Sequence, residues 1–382
     1  MAYRFSLFIF AILATLQIQA QTVLEGVVKD DESGEMLPFA HIYCQGRLAT
    51  MSNSQGEFAL VATPSDVIRI TFLGHKSISV VASELPKVVR LKASMQYLPE
   101  VVVLPAYNLI KDITRKTAKA LKKWKDEKSI YFFRQSTFVD GTQRNMMEAF
   151  FDAYCALRAT SFKLITGRIA EGGDVFYGAD LYKLSQIRLL EKDNSRFSYI
   201  ESIVPLDLHF KNHYETSISK VEYDGQTLYE IRFSPNRESR FKKIVTGTLY
   251  VDTERLLPVK MLGKINNLTV VHRSIEGSID GEVLPIDISF DVSFNIEREF
   301  PEVTSVIINS AYKDKQHDYR FLSLLYNTGR NKLDSQQKSY YIFDLRKQIK
   351  KCRFNQEFWN SHETLKRTDL EKMLNDLQAE GK

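Results

Sequence analysis

The 382-residue sequence predicts a mainly β chain with flanking helices: a small N-terminal β-sandwich, one helix, then a curved antiparallel sheet, half-barrel-like in outline. Three observations predict it. From Leu284 to Ile296 the chain alternates strictly, with Leu284, Ile286, Ile288, Phe290, Val292, Phe294 and Ile296 apolar and Pro285, Asp287, Ser289, Asp291, Ser293 and Asn295 between them. A period of two sorts these residues onto the two faces of a strand, which a helix cannot do. At about 3.3 Å per residue the strand runs roughly 40 Å, long enough that it must curl around a core. Residues 22–92 break into short alternating runs separated by turn clusters. The 24 phenylalanines and 18 tyrosines favour sheet over helix.

At this length two or three domains are expected. The 44% apolar and 26% charged fractions are those of a globular chain, and a net charge of +5 spread along the sequence leaves no electrostatic footprint for nucleic acid. Residues 1–20 read as a secretory signal peptide: Arg4 is the positive end, Phe5 to Leu16 is nearly all apolar, and Ile18-Gln19-Ala20 places a small residue before a cut. The apolar run is too short for a spanning helix. No cysteine follows the cut, so a lipid anchor is not expected. Cys44, Cys155 and Cys352 are widely spaced and form no CxxC, which reads as small buried apolar residues rather than metal or redox chemistry. No cofactor is expected.

Residues 21–93 form the first domain. Strands are expected at Thr22–Lys29, Leu37–Cys44, Arg47–Met51, Glu57–Val61, Asp66–Leu73, Lys76–Ala82 and Lys87–Leu91, with turns at Asp30-Asp31-Glu32-Ser33-Gly34, Ser52-Asn53-Ser54-Gln55-Gly56 and Gly74-His75. The stretches LEGVVKDDESGEMLPFAHIYCQG, ATMSNSQGEFAL and VIRITFLGHKS, in that order, resemble the carboxypeptidase regulatory-like domain. The resemblance implies a seven-stranded, transthyretin-like sandwich, common in Gram-negative envelope proteins and ahead of the plug of TonB-dependent receptors. It places the protein in the periplasm or at the outer membrane. It concerns an accessory domain and not the peptidase, and no HxxE or HExxH occurs in the chain. Phe58 is expected to plug the sandwich core. Tyr97-Leu98-Pro99-Glu100-Val101-Val102-Val103 resembles the tail that follows this domain in receptors.

A linker at 94–106 leads to the main domain, 107–350. Tyr107 to Lys125 turns helical, with Leu109, Ile110, Ile113, Thr117, Ala120, Leu121 and Trp124 on one face and Lys111, Arg115, Lys116, Lys119, Lys122, Lys123 and Lys125 on the other. Two readings stand: a helix packed on the sheet with a solvated basic face, or a membrane-surface contact through Lys111, Lys119, Lys122 and Lys123. Strands at Ser129–Phe138 and Asn145–Leu157 join at Asp140-Gly141, with another at Phe162–Arg168 and a helix at Ala179–Leu190. His209, His213 and Glu215 are the one group with metal-like spacing. Pro205 and the neighbouring strands argue against the helix that an i,i+4 histidine pair needs, so a polar loop is the reading there and no metal is assigned.

From Ile218 an eight-stranded meander is expected, ending at Tyr319–Tyr326, with a hairpin at Asp224-Gly225. Gly247-Thr248-Leu249-Tyr250-Val251-Asp252 with Leu257-Pro258-Val259-Lys260 resembles a hairpin of periplasmic lipoprotein-carrier half-barrels. The order of parts resembles the soluble front half of an uncharacterised family of outer-membrane proteins. Residues 351–382 hold an aromatic segment, Phe354, Phe358 and Trp359, and a helix opened by the capping box Thr368-x-x-Glu371. The aromatics read either as an internal anchor or as a partner-docking site.

No GxSxG elbow, phosphate-binding glycine loop or supported Cys–His pair occurs. The expected function is therefore a non-enzymatic, exported envelope protein that binds another envelope protein through its sandwich and curved sheet. A second expectation is a carrier with a lipid or other apolar ligand on Ile286, Ile288, Phe290 and Val292, the alternative being that these four are a core face filled by the chain's own helix. A third is an accessory subunit of an outer-membrane receptor complex.

Overall fold

The computed structural model describes residues 22–94, 96–97, 106–123, 128–155, 160–171, 189–190, 202–271, 283–295, 299–329, 345–352, 359 and 365–367. The chain divides into two compact units, residues 1–93 with 364–366, and residues 94–363 with 367–382. The signal peptide, the 179–188 part of the expected helix, Phe354, Phe358 and the capping box lie outside the described residues.

The first unit has seven strands: β1 (Thr22–Asp30), β2 (His41–Cys44), β3 (Arg47–Met51), β4 (Glu57–Ala62), β5 (Val67–Thr71), β6 (Ile78–Val81) and β7 (Val88–Leu91). They form two sheets, β4-β1-β7 and β3-β2-β5-β6. Phe58 is fully buried among Val28, Ile42, Ile68, Ile70 and Val89. Gly26 is glycine because a Cβ there would lie 2.7 Å from the Phe58 ring. The second strand starts at His41 and not at Leu37, because Phe39 takes a left-handed φ of 64° that breaks the pleat. Ser52 fastens that break: its hydroxyl donates to the Leu37 carbonyl and accepts from the Ala40 amide, each at 2.8 Å.

The second unit holds α1 (Ala106–Lys123), α2 (Leu345–Lys351) and strands β8 (Gln96–Tyr97), β9 (Ser129–Val139), β10 (Thr142–Cys155), β11 (Thr160–Glu171), β12 (Tyr214–Tyr223), β13 (Gln226–Pro235), β14 (Ile244–Asp252), β15 (Pro258–Asn266), β16 (Thr269–Val271), β17 (Val283–Pro285), β18 (Asp287–Phe294), β19 (Val303–Lys313) and β20 (Asp318–Gly329). Eleven of these strands make one open sheet, β11-β10-β9-β20-β19-β18-β15-β14-β13-β12-β8. It is not closed into a barrel. The β9–β11 hairpins join the meander through β20, so both halves share one core. Part of the expected linker, Gln96–Tyr97, is the edge strand beside β12.

The long alternating run is not one strand. β17 leaves the sheet to pair with β16, and the Ile286 amide bonds the Leu268 carbonyl. Pro285 has no amide hydrogen for a central ladder, which locates the break.

A register row, Leu249, Met261, Val292, Val306, Leu325, Phe133 and Ala149, is buried on the face that packs α1. Leu109, Ile110, Ile113 and Leu121 of α1 belong to the same core. The helix is fixed at its start by Tyr107 against Phe210, 5.9 Å between ring centroids, and at its end by Lys123 on Glu299 at 2.8 Å. On the same face, over β11, Ile349 of α2 lies 2.6 Å from where a Cβ on Gly167 would stand, so glycine there lets the helix down onto the strand.

Candidate functional site

Ile286, Ile288, Phe290 and Val292 are all buried in the α1–sheet core. Phe290 fills the gap over Gly263, where a Cβ would lie 2.6 Å from the ring. Next to Phe290 in register run Ile308, Ser323 and Gln135, so polar side chains enter an otherwise apolar layer. Ser323 donates to Gln135 Oε1 at 3.3 Å. The Ser310 and Thr117 hydroxyls, from the sheet and from α1, are buried without a hydrogen-bond partner among the described residues. A helical threonine can return its hydroxyl to the carbonyl four residues back. Thr114 does so at 2.8 Å, and Thr117 does not.

The opposite face carries a charged cluster that the sequence reading missed. Arg134, Glu148 and Arg168 lie side by side on β9, β10 and β11. Glu148 is fully buried. Its Oε1 accepts from Arg134 Nε at 2.7 Å and Nη2 at 2.6 Å; its Oε2 accepts from Arg168 Nε at 2.5 Å and Arg367 Nη2 at 3.0 Å. Burial alone would raise the carboxyl's pKa, but the three guanidinium groups outweigh it and hold the group at about 2. A carboxylate so held stays ionised at any physiological pH and cannot exchange protons as a general acid or base.

Trp359 belongs to this cluster. It is 1% exposed, its indole nitrogen donates to Thr166 at 3.2 Å, its ring meets Phe150 edge-on at 5.0 Å, and the Arg168 guanidinium stacks over it at 4.0 Å. The indole is thus used within the chain, and Trp359 and Arg367 are both held against the sheet. One signal was available: FFRQSTF and MMEAFF each set a lone charge in an apolar strand, a pattern that calls for a buried partner.

The remaining candidates separate. His209 precedes a 3-10 turn at Phe210–Asn212, His213 Nδ1 lies 3.0 Å from the Ser239 hydroxyl, and Glu215 is exposed on β12. Among the described residues no group of three His, Cys, Asp or Glu is placed to hold a metal ion. Burial pushes the Cys155 thiol well above its usual range. Lys116, Lys119, Lys122 and Lys123 are exposed along α1. Lys111 Nζ and Lys211 Nζ stand 4.1 and 4.5 Å from the Tyr107 ring centroid.

In the first unit, Asp30 Oδ1 accepts the Glu32 and Ser33 amides at 2.9 and 2.6 Å, and its Oδ2 meets His75 Nε2 at 2.7 Å. These bonds, the Ser33 amide foremost, hold Asp30 well below the usual carboxylate range. They tie the first turn to the Gly74-His75 turn, the two most distinctive punctuation marks of the region. The model of the CarboxypepD_reg-like family matches residues 24–103. This region is a CarboxypepD_reg-like domain. The CarboxypepD_reg-like domain is a regulatory, non-catalytic fold, and no enzymatic family is indicated for the chain.

No curated protein matches the sequence. Among solved structures, a DUF1329 family protein from Desulfovibrio piger is similar over 59% of this chain and 95% of its own, at 9% identity and a TM-score of 0.24. So loose a likeness carries no argument.

Proposed function

We propose that the protein is an exported, non-enzymatic cell-envelope module that binds a partner protein through its CarboxypepD_reg-like domain and the free parts of its sheet. One observation carries this reading: a domain of regulatory type is joined to a sheet whose reactive-looking and apolar groups are already used within the chain. Glu148 is locked among three arginines, and Ile288, Phe290 and Val292 are buried in the core shared with α1. What remains to act on other molecules is surface.

The test is crosslinking in intact cells followed by purification of the mature chain. A stoichiometric envelope protein, lost when the CarboxypepD_reg-like domain is deleted, supports the reading. A turnover abolished by a single substitution overturns it.

The unpartnered hydroxyls of Ser310 and Thr117 favour a second reading, a carrier whose ligand places a polar group in the α1–sheet core. Native mass spectrometry of protein gently extracted from its own envelope decides it. A bound apolar mass supports the carrier, and a bare chain removes it.

A further inference from the structure

The most exposed large apolar side chain among the described residues is Phe241, 77% exposed on the β13–β14 loop. An isolated exposed apolar residue needs no explanation. Its setting supplies one here. The loop reads Asn236-Arg237-Glu238-Ser239-Arg240-Phe241-Lys242-Lys243, and Arg237, Arg240, Lys242 and Lys243 are all exposed. The Arg240 guanidinium lies 4.5 Å from the Phe241 ring centroid.

The loop is held in shape. Ser239 is fully buried, its amide donates to Asn236 Oδ1 at 3.0 Å, and its hydroxyl meets His213 Nδ1. Asn267 Nδ2 donates to the carbonyls of Arg240 and Lys242 at 2.9 and 2.8 Å, bracketing Phe241 from below. Phe241 is thus presented on a loop braced by these hydrogen bonds.

A second element reaches the same end of the sheet. Tyr214 pairs with Pro235, so the 207–213 turn and the β13–β14 loop leave the sheet side by side. The Asn236 amide donates to the His213 carbonyl, and Asn236 Nδ2 donates to the Asn212 carbonyl at 2.8 Å. This turn adds Leu208, 38% exposed, and exposed Lys211. Lys211, Arg237, Arg240, Lys242 and Lys243 outnumber the carboxylates of Asp207 and Glu238.

We infer that this end of the sheet is a foot that rests on an anionic lipid surface, with Phe241 and Leu208 entering the headgroup boundary and the cations around them pairing with lipid phosphates. Apolar side chains ringed by Lys and Arg are what such an interface favours. The lysine face of α1 is a poorer candidate by itself, since Ile110 and Ile113 are spent on the core and, among the described residues of α1, no large apolar side chain is exposed. The inference does not depend on which partner the domain or the sheet binds.

The test is flotation of the mature chain with phosphatidylglycerol-rich and with pure phosphatidylcholine vesicles. Binding is expected to the anionic vesicles alone and to fall as salt rises. Phe241→Ser should lower the partition coefficient about tenfold. Arg240→Gln with Lys242→Gln and Lys243→Gln should lower it about a hundredfold, near fivefold per cation. A control triple with the same net charge, Lys76→Gln, Lys92→Gln and Lys315→Gln, should bind as wild type. Phe241→Trp should be quenched by brominated lipid. No binding, equal loss in both triples, or an unquenched Trp on floated protein would overturn the inference. So would a dimer that Phe241→Ser turns into a monomer.

Discussion

Replacing Glu148 by glutamine tests whether the three-arginine cluster is a structural clasp. The amide keeps the shape and one acceptor but removes the charge that balances Arg134, Arg168 and Arg367. Its magnitude follows from the carboxyl itself. Lowering it from 4.5 to about 2 corresponds to about 3 kcal/mol of folded-state preference for the charged form. That agrees with the ~3–5 kcal/mol typical of removing one partner from a buried ion pair. Because the folded value is depressed, the contribution is complete above about pH 4.5 and is lost as the pH falls towards 2. At pH 3 about half of it remains. Urea unfolding of wild type and Glu148→Gln, followed by tryptophan fluorescence to which Trp359 contributes, should give a gap of about 3 kcal/mol at pH 7. The gap should shrink by about half at pH 3. A gap under about 1 kcal/mol at pH 7, or one unchanged at pH 3, would refute the reasoning.

Trp359→Ala should cost about 3–5 kcal/mol in urea unfolding followed by circular dichroism, since it empties a filled site against Phe150 and strands the Thr166 acceptor. Gly247→Ala should prevent folding of the second unit: φ is 144° and the new Cβ would stand 2.0 Å from the Leu262 carbonyl oxygen. Gly46→Ala, in open space at φ 74°, should cost only about 1 kcal/mol, as read by circular dichroism on heating. Thr117→Val and Ser310→Ala should be neutral or stabilising by up to about 1 kcal/mol if the hydroxyls have no partner in solution; a loss above that would reveal a bound water or ligand. Asp30→Asn should lower the melting temperature of the CarboxypepD_reg-like domain at neutral pH. The difference from wild type should fade in acid, because the depressed carboxyl gives its stabilisation above its ordinary value and loses it as pH falls.

Local signals located most of the elements. Alternation placed β12 to β15 and β18 to β20, the Asp140-Gly141 and Asp224-Gly225 pairs marked hairpins that take positive φ at both residues, and the period of α1 named the residues that pack on the sheet. Long-range pairing left no local mark. Nothing in Tyr319–Tyr326 announces that β20 pairs with β9 nearly two hundred residues earlier, because strands pair through backbone groups common to all residues. The break at Pro285 was visible, but the regular alternation on both sides concealed it. The Glu148 cluster stayed hidden for a related reason: its four charges come from four separate segments. Only Arg134 and Glu148, as lone charges in apolar strands, hinted that each was expecting a partner. Phe241 was passed over because an aromatic in a basic loop carries no signal until the hydrogen bonds that brace the loop are seen.

Those hidden features also shift the functional argument away from the sheet's centre. The apolar side of β18, which the sequence left open between ligand face and core face, is core, and α1 contributes to that same core. The charged group most like an active site is a carboxylate that three guanidinium groups keep ionised, and catalysis by proton transfer needs a group that titrates near the working pH. Both sites therefore spend their chemistry on holding the molecule together. The most exposed large apolar side chain among the described residues, Phe241, stands with its neighbouring cations at one end of the sheet, on a loop braced by Ser239 and Asn267. Bracing an exposed aromatic has no value to a fold that does not use it, since the loop's hydrogen bonds would form equally well around a polar residue. That asymmetry, buried chemistry closed and exposed chemistry supported, is the physical ground for the surface-binding role proposed above.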